Sequence, residues 1–131
     1  MTKCPICNGA VKHAIKDIVY TYKNHTKNIE QSGHYCEQCG ESFLSPKDLK
    51  FNKKDIADFK REVENLLLSD DLARIRKKLH LTQQDAAELF GGGIRAFHKY
   101  ETGENIQSKP LDILLRLIDS NKISINDIKF A

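Results

Sequence analysis

The sequence has no apolar run approaching the length that a membrane-spanning helix requires. Its 131 residues are 40% hydrophobic and 30% charged, a balance typical of globular chains, whereas a span needs about 20 consecutive apolar residues. The apolar stretch of a secretory signal is also missing, because Met1-Thr2-Lys3 leads directly into Cys4. We therefore predict a cytoplasmic protein without membrane contact, in a compartment where paired cysteines bind metal more often than they form disulfides.

A large charge excess is absent as well. The chain carries 21 basic and 18 acidic residues, for a formal net charge of +3, and four thiolates around one Zn²⁺ would bring the total close to neutral. Global charge therefore does not indicate a nucleic-acid partner. A DNA-binding surface would have to come from local clustering of basic side chains.

The residue patterns of common enzymes are missing. We find no Ser/His/Asp motif, no glycine loop placed to hold phosphate and no three-ligand metal site with an open position. Gly91-Gly92-Gly93 lies between two predicted helices rather than after a strand, so it indicates a turn and not a nucleotide-binding loop. The sequence predicts a protein that is not an enzyme.

What the chain does have is four cysteines in two identical pairs. Cys4 and Cys7 are separated by two residues, and so are Cys36 and Cys39. This spacing turns both sulfurs of a pair inward from one tight knuckle, and two knuckles supply the four thiolates that tetrahedral Zn²⁺ prefers. Four sulfur ligands leave no position for water, so we predict a structural zinc. A thioredoxin-like redox role is the alternative, which requires one cysteine pair at the start of a helix in an α/β context.

The residues between the cysteine pairs predict a small antiparallel sheet. Residues 15–22 and 25–30 are rich in β-branched and aromatic side chains, with a polar Lys23-Asn24 break between them. A helix should follow, because Ser45-Pro46-Lys47-Asp48 combines a capping serine, a proline in the first turn and an acid at the third position. Its apolar stripe, predicted to pack at least partly on the sheet, comprises Leu49, Ile56, Phe59, Val63 and Leu66.

The last 63 residues predict short helices. Ser69-Asp70-Asp71 has the composition of a helix cap and marks the predicted domain boundary. Four helices are expected, around residues 72–79, after Thr82, over residues 94–100 and after Ser108. The glycine turn between the second and third gives a helix-turn-helix arrangement. We therefore predict an α+β protein of two domains, a zinc-stapled antiparallel β unit with a helix over residues 1–68 and an all-α helix-turn-helix domain over residues 69–131.

A basic pair on the third helix is the candidate DNA-reading surface. Arg95 and Lys99 stand four residues apart, so they share one helix face, and His98 lies beside them. Exposed basic pairs on helices are usually only solvated surface. In a recognition helix, however, arginine and lysine suit the O6 and N7 atoms of guanine in the major groove.

Residues 75–87, followed by Tyr100-Glu101-Thr102-Gly103, resemble the helix-turn-helix of lambda-type and 434-type phage repressors. The resemblance implies that Arg76 pairs with Glu101 and stabilises the fold, and that Arg95 and Lys99 occupy base-reading positions. It also implies that Gln83 contacts a DNA phosphate, with Thr82 and Gln84 close enough to assist.

The chain as a whole resembles the MqsA-type antitoxins of toxin-antitoxin systems. The resemblance is carried by the two cysteine motifs, the Phe90-Gly91-Gly92-Gly93 turn, Ala96-Phe97 and Tyr100-Glu101. It implies a zinc domain that binds and neutralises a ribonuclease toxin, and a C-terminal domain that forms a homodimer and represses its own operon at a palindromic double-stranded DNA operator. The sequence departs from the family pattern at the base-reading positions, where Arg95 and Lys99 replace asparagine and arginine, so the operator sequence is not carried over.

A zinc-containing helix-turn-helix transcriptional repressor with no toxin partner is the alternative function. In such a protein the N-terminal domain would sense metal or only dimerise. Co-purification of a small ribonuclease would favour the antitoxin, whereas metal-dependent release of the operator would favour the repressor.

Overall fold

The computed structural model describes residues 3–129 and divides the chain into two compact units. The first ends at Ile56 and contains the sheet with the start of a long helix, and the second begins at Ala57 and is helical. The α+β class is as predicted. The domain boundary after residue 68 remains a prediction, and residues 57–68 group with the helical unit. Within the described residues no helix is long and apolar enough to cross a membrane.

Two long strands form a hairpin in the first unit. β1 (Val11–Tyr22) pairs antiparallel with β2 (His25–Cys36), from Val11 opposite Cys36 to Tyr22 opposite His25. Lys23 and Asn24 both have positive φ, 46° and 65°, which matches the two-residue turn whose twist suits a hairpin. The strands extend beyond the predicted 15–22 and 25–30, because pairing with the partner strand holds polar residues and Gly33 in extended backbone. A short β3 (Ser42–Phe43), not predicted, pairs with the end of β2 and gives the order β1-β2-β3.

Helix α1 (Pro46–Glu64) begins where the sequence predicts. The Asp48 N–H donates to Ser45 Oγ at 3.2 Å, and the Ser45 N–H donates to Asp48 Oδ2 at 2.9 Å, which forms a reciprocal cap. The predicted apolar stripe is wrong at Leu49, which is 48% exposed. In the first unit α1 instead buries the polar side chains of Asp48 and Asn52, and both bond to Ser32 of β2.

Within the described residues, the second unit contains the end of α1 and five further helices: α2 (Ser69–Lys78), α3 (Gln83–Phe90), α4 (Ala96–Thr102), α5 (Lys109–Asp119) and α6 (Ile125–Ile128). They enclose an apolar core formed by Leu72, Ile75, Ala86, Phe97 and Leu115. The short α6 was not predicted. Ser108 caps α5 as predicted, because its Oγ accepts the Leu111 N–H.

Two predicted helix starts in the second unit differ from the structure. Ser69 is the first residue of α2 rather than its cap, and its N–H and hydroxyl donate to the carboxylate of Asp58 at 2.8 and 2.6 Å. Helix α4 begins at Ala96 rather than Ile94, because Gly91, Gly92 and Gly93 all take positive φ and the chain needs two more residues to turn.

Candidate metal centre and nucleic-acid interface

Each cysteine pair sits in a turn of the same construction. The Asn8 N–H donates to the Cys4 carbonyl at 2.9 Å, and the Gly40 N–H donates to the Cys36 carbonyl at 3.1 Å. Asn8 and Gly40 both take left-handed backbone, with φ of 60° and 78°. Glycine and asparagine are the residues that most readily adopt this conformation. Gly40 closes the second knuckle, and Asn8 closes the first in the same way.

The two turns bring the four sulfurs together. All four Sγ atoms lie within 4.8 Å of one another, with 3.7 Å between Cys4 and Cys39 and 3.3 Å between Cys7 and Cys36. A Zn–S bond of about 2.3 Å in a tetrahedron places neighbouring sulfurs about 3.8 Å apart. Both short distances join sulfurs of different pairs, as a shared ion requires. The four cysteines are therefore positioned to bind one metal ion.

Main-chain N–H groups donate to two of the four sulfurs. The Ile6 N–H donates to Cys4 Sγ at 3.4 Å, and the Cys39 N–H donates to Cys36 Sγ at 3.5 Å. Donation from the Cys39 N–H, opposed by burial and helped by the Gln38 N–H, lowers the pKa of the Cys36 thiol to about 6. Deprotonated thiols are the species that bind zinc.

The surroundings of the cysteines fit a structural site. Cys4 and Cys36 are buried with Val11, and the partly buried Cys7 and Phe43 pack against them, so the sulfurs form much of a very small core. The redox alternative needs a helix directly after a cysteine pair. Here β1 follows the first pair and β3 follows the second, so neither pair has that context.

The helix-turn-helix consists of α3 and α4, with α3 started by a second reciprocal cap. The Asp85 N–H donates to Thr82 Oγ1 at 3.0 Å, and the Thr82 N–H donates to Asp85 Oδ2 at 3.2 Å. Thr82 thus serves as the cap that the sequence predicts, with its hydroxyl proton still available to a further acceptor. Gln83 and Gln84 form the first turn of α3, half-buried and exposed respectively.

Arg95 and Lys99 lie at the start of α4 and one turn into it. The Lys99 N–H donates to the Arg95 carbonyl at 3.0 Å, and both side chains line one open cleft of about 270 Å³ together with Gly92, Gly93 and Ile94. Ile94 is 66% exposed at the mouth of this cleft. His98 is half-buried and does not line the cleft, so the structure brings two of the three predicted α4 residues together.

Arg95 differs from every other arginine of the chain. Four of the five arginines are held by carboxylates, in the pairs Arg61–Asp58, Arg74–Asp119, Arg76–Glu101 and Arg116–Asp112. Arg95 is exposed and forms no ion pair with any residue that the structure describes. Its guanidinium is therefore free to bind an external acceptor.

The Arg76–Glu101 ion pair is present and bidentate. Arg76 Nε donates to Glu101 Oε2 at 2.9 Å, Nη2 donates to Oε1 at 3.0 Å, and Nη1 donates to the Leu81 carbonyl at 2.9 Å. One side chain thereby joins α2 to the last turn of α4 and to the residue just before the α3 cap. The pair therefore connects α2 directly to α4.

A buried arginine that donates to the main chain of α4 and of the following loop was not recognised from the sequence. Arg61 of α1 is fully buried, and its guanidinium donates to Gln107 Oε1 at 2.9 Å, the Tyr100 carbonyl at 2.8 Å and the Asn105 carbonyl at 3.1 Å. A basic residue in a lysine-rich helix normally indicates a solvated face. Its position four residues after the buried Ala57 was the one available signal that it lies on the inner side.

A buried carboxylate in the first unit was missed for a similar reason. Asp48 accepts from Ser32 Oγ at 2.7 Å and from His13 Nε2 at 3.0 Å, and His34 Nδ1 lies 3.2 Å from its Oδ2. Donation by Ser32, and then by the Ser45 N–H, holds the pKa of Asp48 well below its usual range.

The same cluster resembles a hydrolase triad in composition only. Ser32 Oγ and Asp48 Oδ1 both lie 3.0 Å from the same nitrogen of His13, Nε2. A triad needs the two ring nitrogens to bind different partners, so that a proton moves from serine to histidine while the acid orients the ring. The cluster instead joins the start of α1 to β1 and β2.

Comparison with known proteins identifies the family. Residues 2–129 match the family model described as the antitoxin component of bacterial toxin-antitoxin systems, MqsA. Antitoxin MqsA of Escherichia coli K12 is 36% identical over 131 residues, which cover 97% of this chain and 99% of that protein. A solved structure of the N-terminal domain of E. coli MqsA is 29% identical, with a TM-score of 0.43 over 48% of this chain and 97% of that domain. The matched sequence spans nearly the whole chain, and the chain belongs to the MqsA family of antitoxins.

Proposed function

We propose that this antitoxin binds and neutralises a ribonuclease toxin through its cysteine-rich unit, and that its helical unit represses its own operon by sequence-specific DNA binding. Family membership supports the toxin partner, since an antitoxin acts on a toxin. The unpaired guanidinium of Arg95, beside Lys99 at the start of α4, is the observation that carries DNA binding.

Arg95 and Lys99 are the proposed base-reading residues. In a helix-turn-helix the first residues of the recognition helix meet base edges in the major groove, and Arg95 lies directly before the first residue of α4. Arginine binds guanine through two parallel hydrogen bonds, whereas lysine acts as a point charge. His98, half-buried on the same helix, is the third residue proposed to contact DNA.

Thr82, Gln83 and Gln84 are proposed to contact DNA phosphates. They lie together at the start of α3, where amide and hydroxyl donors can reach the backbone. Arg74 and Lys78 are less suited to this role, because both are held by Asp119, with Nη2–Oδ2 at 3.0 Å and Nζ–Oδ1 at 3.3 Å. Arg76 and Glu101 are proposed to position α4 without reading DNA.

We propose Zn²⁺ as the metal of the Cys4, Cys7, Cys36 and Cys39 site. Four thiolates at tetrahedral spacing are the usual zinc set, although thiolates also accept other soft metals. When bound, the ion would act as a cross-link between the two knuckles. The chain's own residues provide the main-chain donors and the small apolar surround.

A homodimer on a palindromic operator completes the proposal. Ile113 and Leu117 lie one turn apart on α5 and remain 49% and 38% exposed. A second copy would cover such an apolar pair and would present a second α4 to the next major groove.

Co-expression of the chain with the product of its neighbouring gene tests the function. We expect a stable complex that co-purifies, rescue of growth from the toxin, and binding of purified antitoxin to the DNA upstream of its gene. DNA binding without any toxin would favour the repressor alternative. If the chain bound neither a toxin nor DNA, both the antitoxin and the repressor functions would be contradicted.

A further inference from the structure

Strand β1 leaves one long edge of the sheet open. It occupies the end position in the order β1-β2-β3, and within residues 3–129 no other strand pairs with its outer side. Exposed edges are normally blunted by charged side chains, proline, bulges or very short strands. Of these devices β1 has charged side chains, at Lys12, Lys16 and Asp17. The edge of β1 runs 12 residues from Val11 to Tyr22 without a proline, and its pairing with β2 has no bulge.

The register identifies which main-chain groups face outward. The Ser32 N–H donates to Asn52 Oδ1 at 2.8 Å, and Asn52 Nδ2 donates to the Ser32 carbonyl at 3.2 Å, so the main chain of Ser32 points away from β1. In an antiparallel ladder the residue opposite such a position also points its N–H and C=O away. That residue is Ile15, and by alternation the same holds for His13, Asp17, Val19 and Thr21.

The side chains of these residues lie on one face of the sheet, and their chemistry indicates which kind of strand would fit beside β1. Ile15 and Val19 are 53% and 68% exposed, and Asp17 lies between them. Asp17 is directly opposite Glu30 of β2, a pairing of like charges that destabilises a sheet. A third strand carrying a basic residue beside Asp17 would relieve this repulsion.

We propose that the toxin adds an extended strand to the outer edge of β1, with a basic side chain next to Asp17 and apolar side chains next to Ile15 and Val19. Strand addition of this kind takes affinity from main-chain hydrogen bonds and specificity from alternate side chains. The inference rests on the proposed toxin-neutralising function and names its contact surface.

A second copy of this chain fits the edge less well. Two β1 edges that pair antiparallel over nearly their full length have two possible registers. One places Asp17 opposite its own copy, and the other places Lys16 opposite its own copy. Both registers set like charges face to face across the new pair of strands.

Amide hydrogen exchange in the metal-loaded full chain, alone and with purified toxin, tests the proposal. In the free chain the amides of Lys16 and Ile18 should already be protected, because they bond to β2. Toxin should add protection at Ile15, Asp17 and Val19 and produce a period of two along β1. A complex without that new protection would overturn the inference and leave toxin neutralisation intact, whereas no complex would count against the proposed function itself. Protection that rises with antitoxin concentration alone would assign the edge to a second copy.

A matched pair of charge reversals provides the second readout. Asp17→Lys should weaken toxin binding about tenfold, the scale expected when a favourable cross-strand pair becomes a repulsive one. Glu30→Lys makes the same change one strand further from the edge and leaves Asp17 in place, so its effect should be clearly smaller. Equal effects of the two variants would contradict edge recognition. Unchanged thermal unfolding and DNA binding would show that both variants fold.

Discussion

The two units of this antitoxin must each offset the entropy lost on folding, and they do so by different means. The helical unit buries Leu72, Ile75, Phe97 and Leu115 in an ordinary apolar core. Among the described residues, the core around the cysteines buries one aliphatic residue, Val11, together with Cys4 and Cys36. A segment this small buries too little apolar surface to fold unaided, and metal coordination is the usual substitute. We therefore expect a bound metal to contribute folding free energy to the first unit and none to the second.

Metal removal should separate the units most strongly. A strong chelator is expected to unfold the first unit, since structural zinc sites supply an apparent binding free energy of about 10–16 kcal/mol, while the helical unit stays folded. Unit-resolved NMR spectra before and after chelation would measure this. Persistence of the β1–β2 signals after the metal has left would contradict the comparison.

The reciprocal change is a core truncation in the helical unit. Phe97→Ala should destabilise that unit by about 3–5 kcal/mol, the usual cost of deleting a buried aromatic ring. Phe97 packs against Phe90 and Tyr100, with ring centroids 5.7 and 5.4 Å away. Denaturant unfolding gives the loss, and metal stoichiometry should not change. A fall in metal binding would show that the units do not fold independently.

Arg61 tests where the helical unit begins. Arg61→Met should cost about 3–5 kcal/mol, because it removes a fully buried guanidinium that pairs with Asp58 and donates to the carbonyls of Tyr100 and Asn105. Arg74→Met is the matched control, since it removes an exposed ion pair worth about 0–1 kcal/mol. Thermal unfolding would compare the two variants. A fragment that starts at residue 69 lacks Arg61 and should show a similar loss if the unit begins at Ala57.

Arg95 and Lys99 should affect binding and leave stability unchanged. Arg95→Ala and Lys99→Ala are each expected to cost about 1–3 kcal/mol in operator discrimination. Binding titrations at fixed salt, against operator and unrelated DNA, would measure the loss. Equal losses on both DNAs would show that the two residues contact phosphates and do not read bases.

The smallest expected effect is a loss of stability of the helical unit at acidic pH, caused by protonation of Asp119. Hydrogen bonds from Arg74, opposed by burial and helped by Lys78, lower the pKa of Asp119 to about 2, against about 3.9 in an unfolded chain. A depressed pKa contributes stability above the unfolded value and loses it as the pH falls from about 4 to about 2. Asp119→Asn should remove this dependence of the free energy of unfolding on pH. The change should be less than about 1 kcal/mol, because the pair is exposed. Glu104→Gln is the control, because Glu104 is exposed and in no ion pair of the described chain.

Much of this fold could be predicted from local residue patterns. The cysteine spacing, the Lys23-Asn24 turn, the Ser45 cap and the Thr82 cap all act within four residues, where composition alone determines the geometry. Strand lengths could not be predicted so well, because residues 31–36 are held extended by pairing with β1 rather than by their own preference. The same limit explains why the two-residue β3 was missed.

Buried charge was the clearest failure of sequence reasoning. Arg61 and Asp48 lie in segments whose composition indicates solvent, yet both are buried. Each is satisfied by partners far away in sequence, such as Gln107 and Asn105 for Arg61 and His13 and Ser32 for Asp48. No local pattern records such partners, because they meet only after the chain has folded.

The sequence by itself determined the candidate metal-binding cysteines, the helix-turn-helix and the family, since each depends on residue types at short, fixed spacing. The tertiary structure alone decided which basic side chains remain free. Arg74 and Arg76 find carboxylates on other helices, and Arg61 and Arg116 find them on their own helix. Arg95 finds none among the described residues, and this difference emerges only in the folded chain. It also decided which backbone groups of β1 face outward, because that choice follows from the register with β2 and from the bonds that Asn52 makes to Ser32.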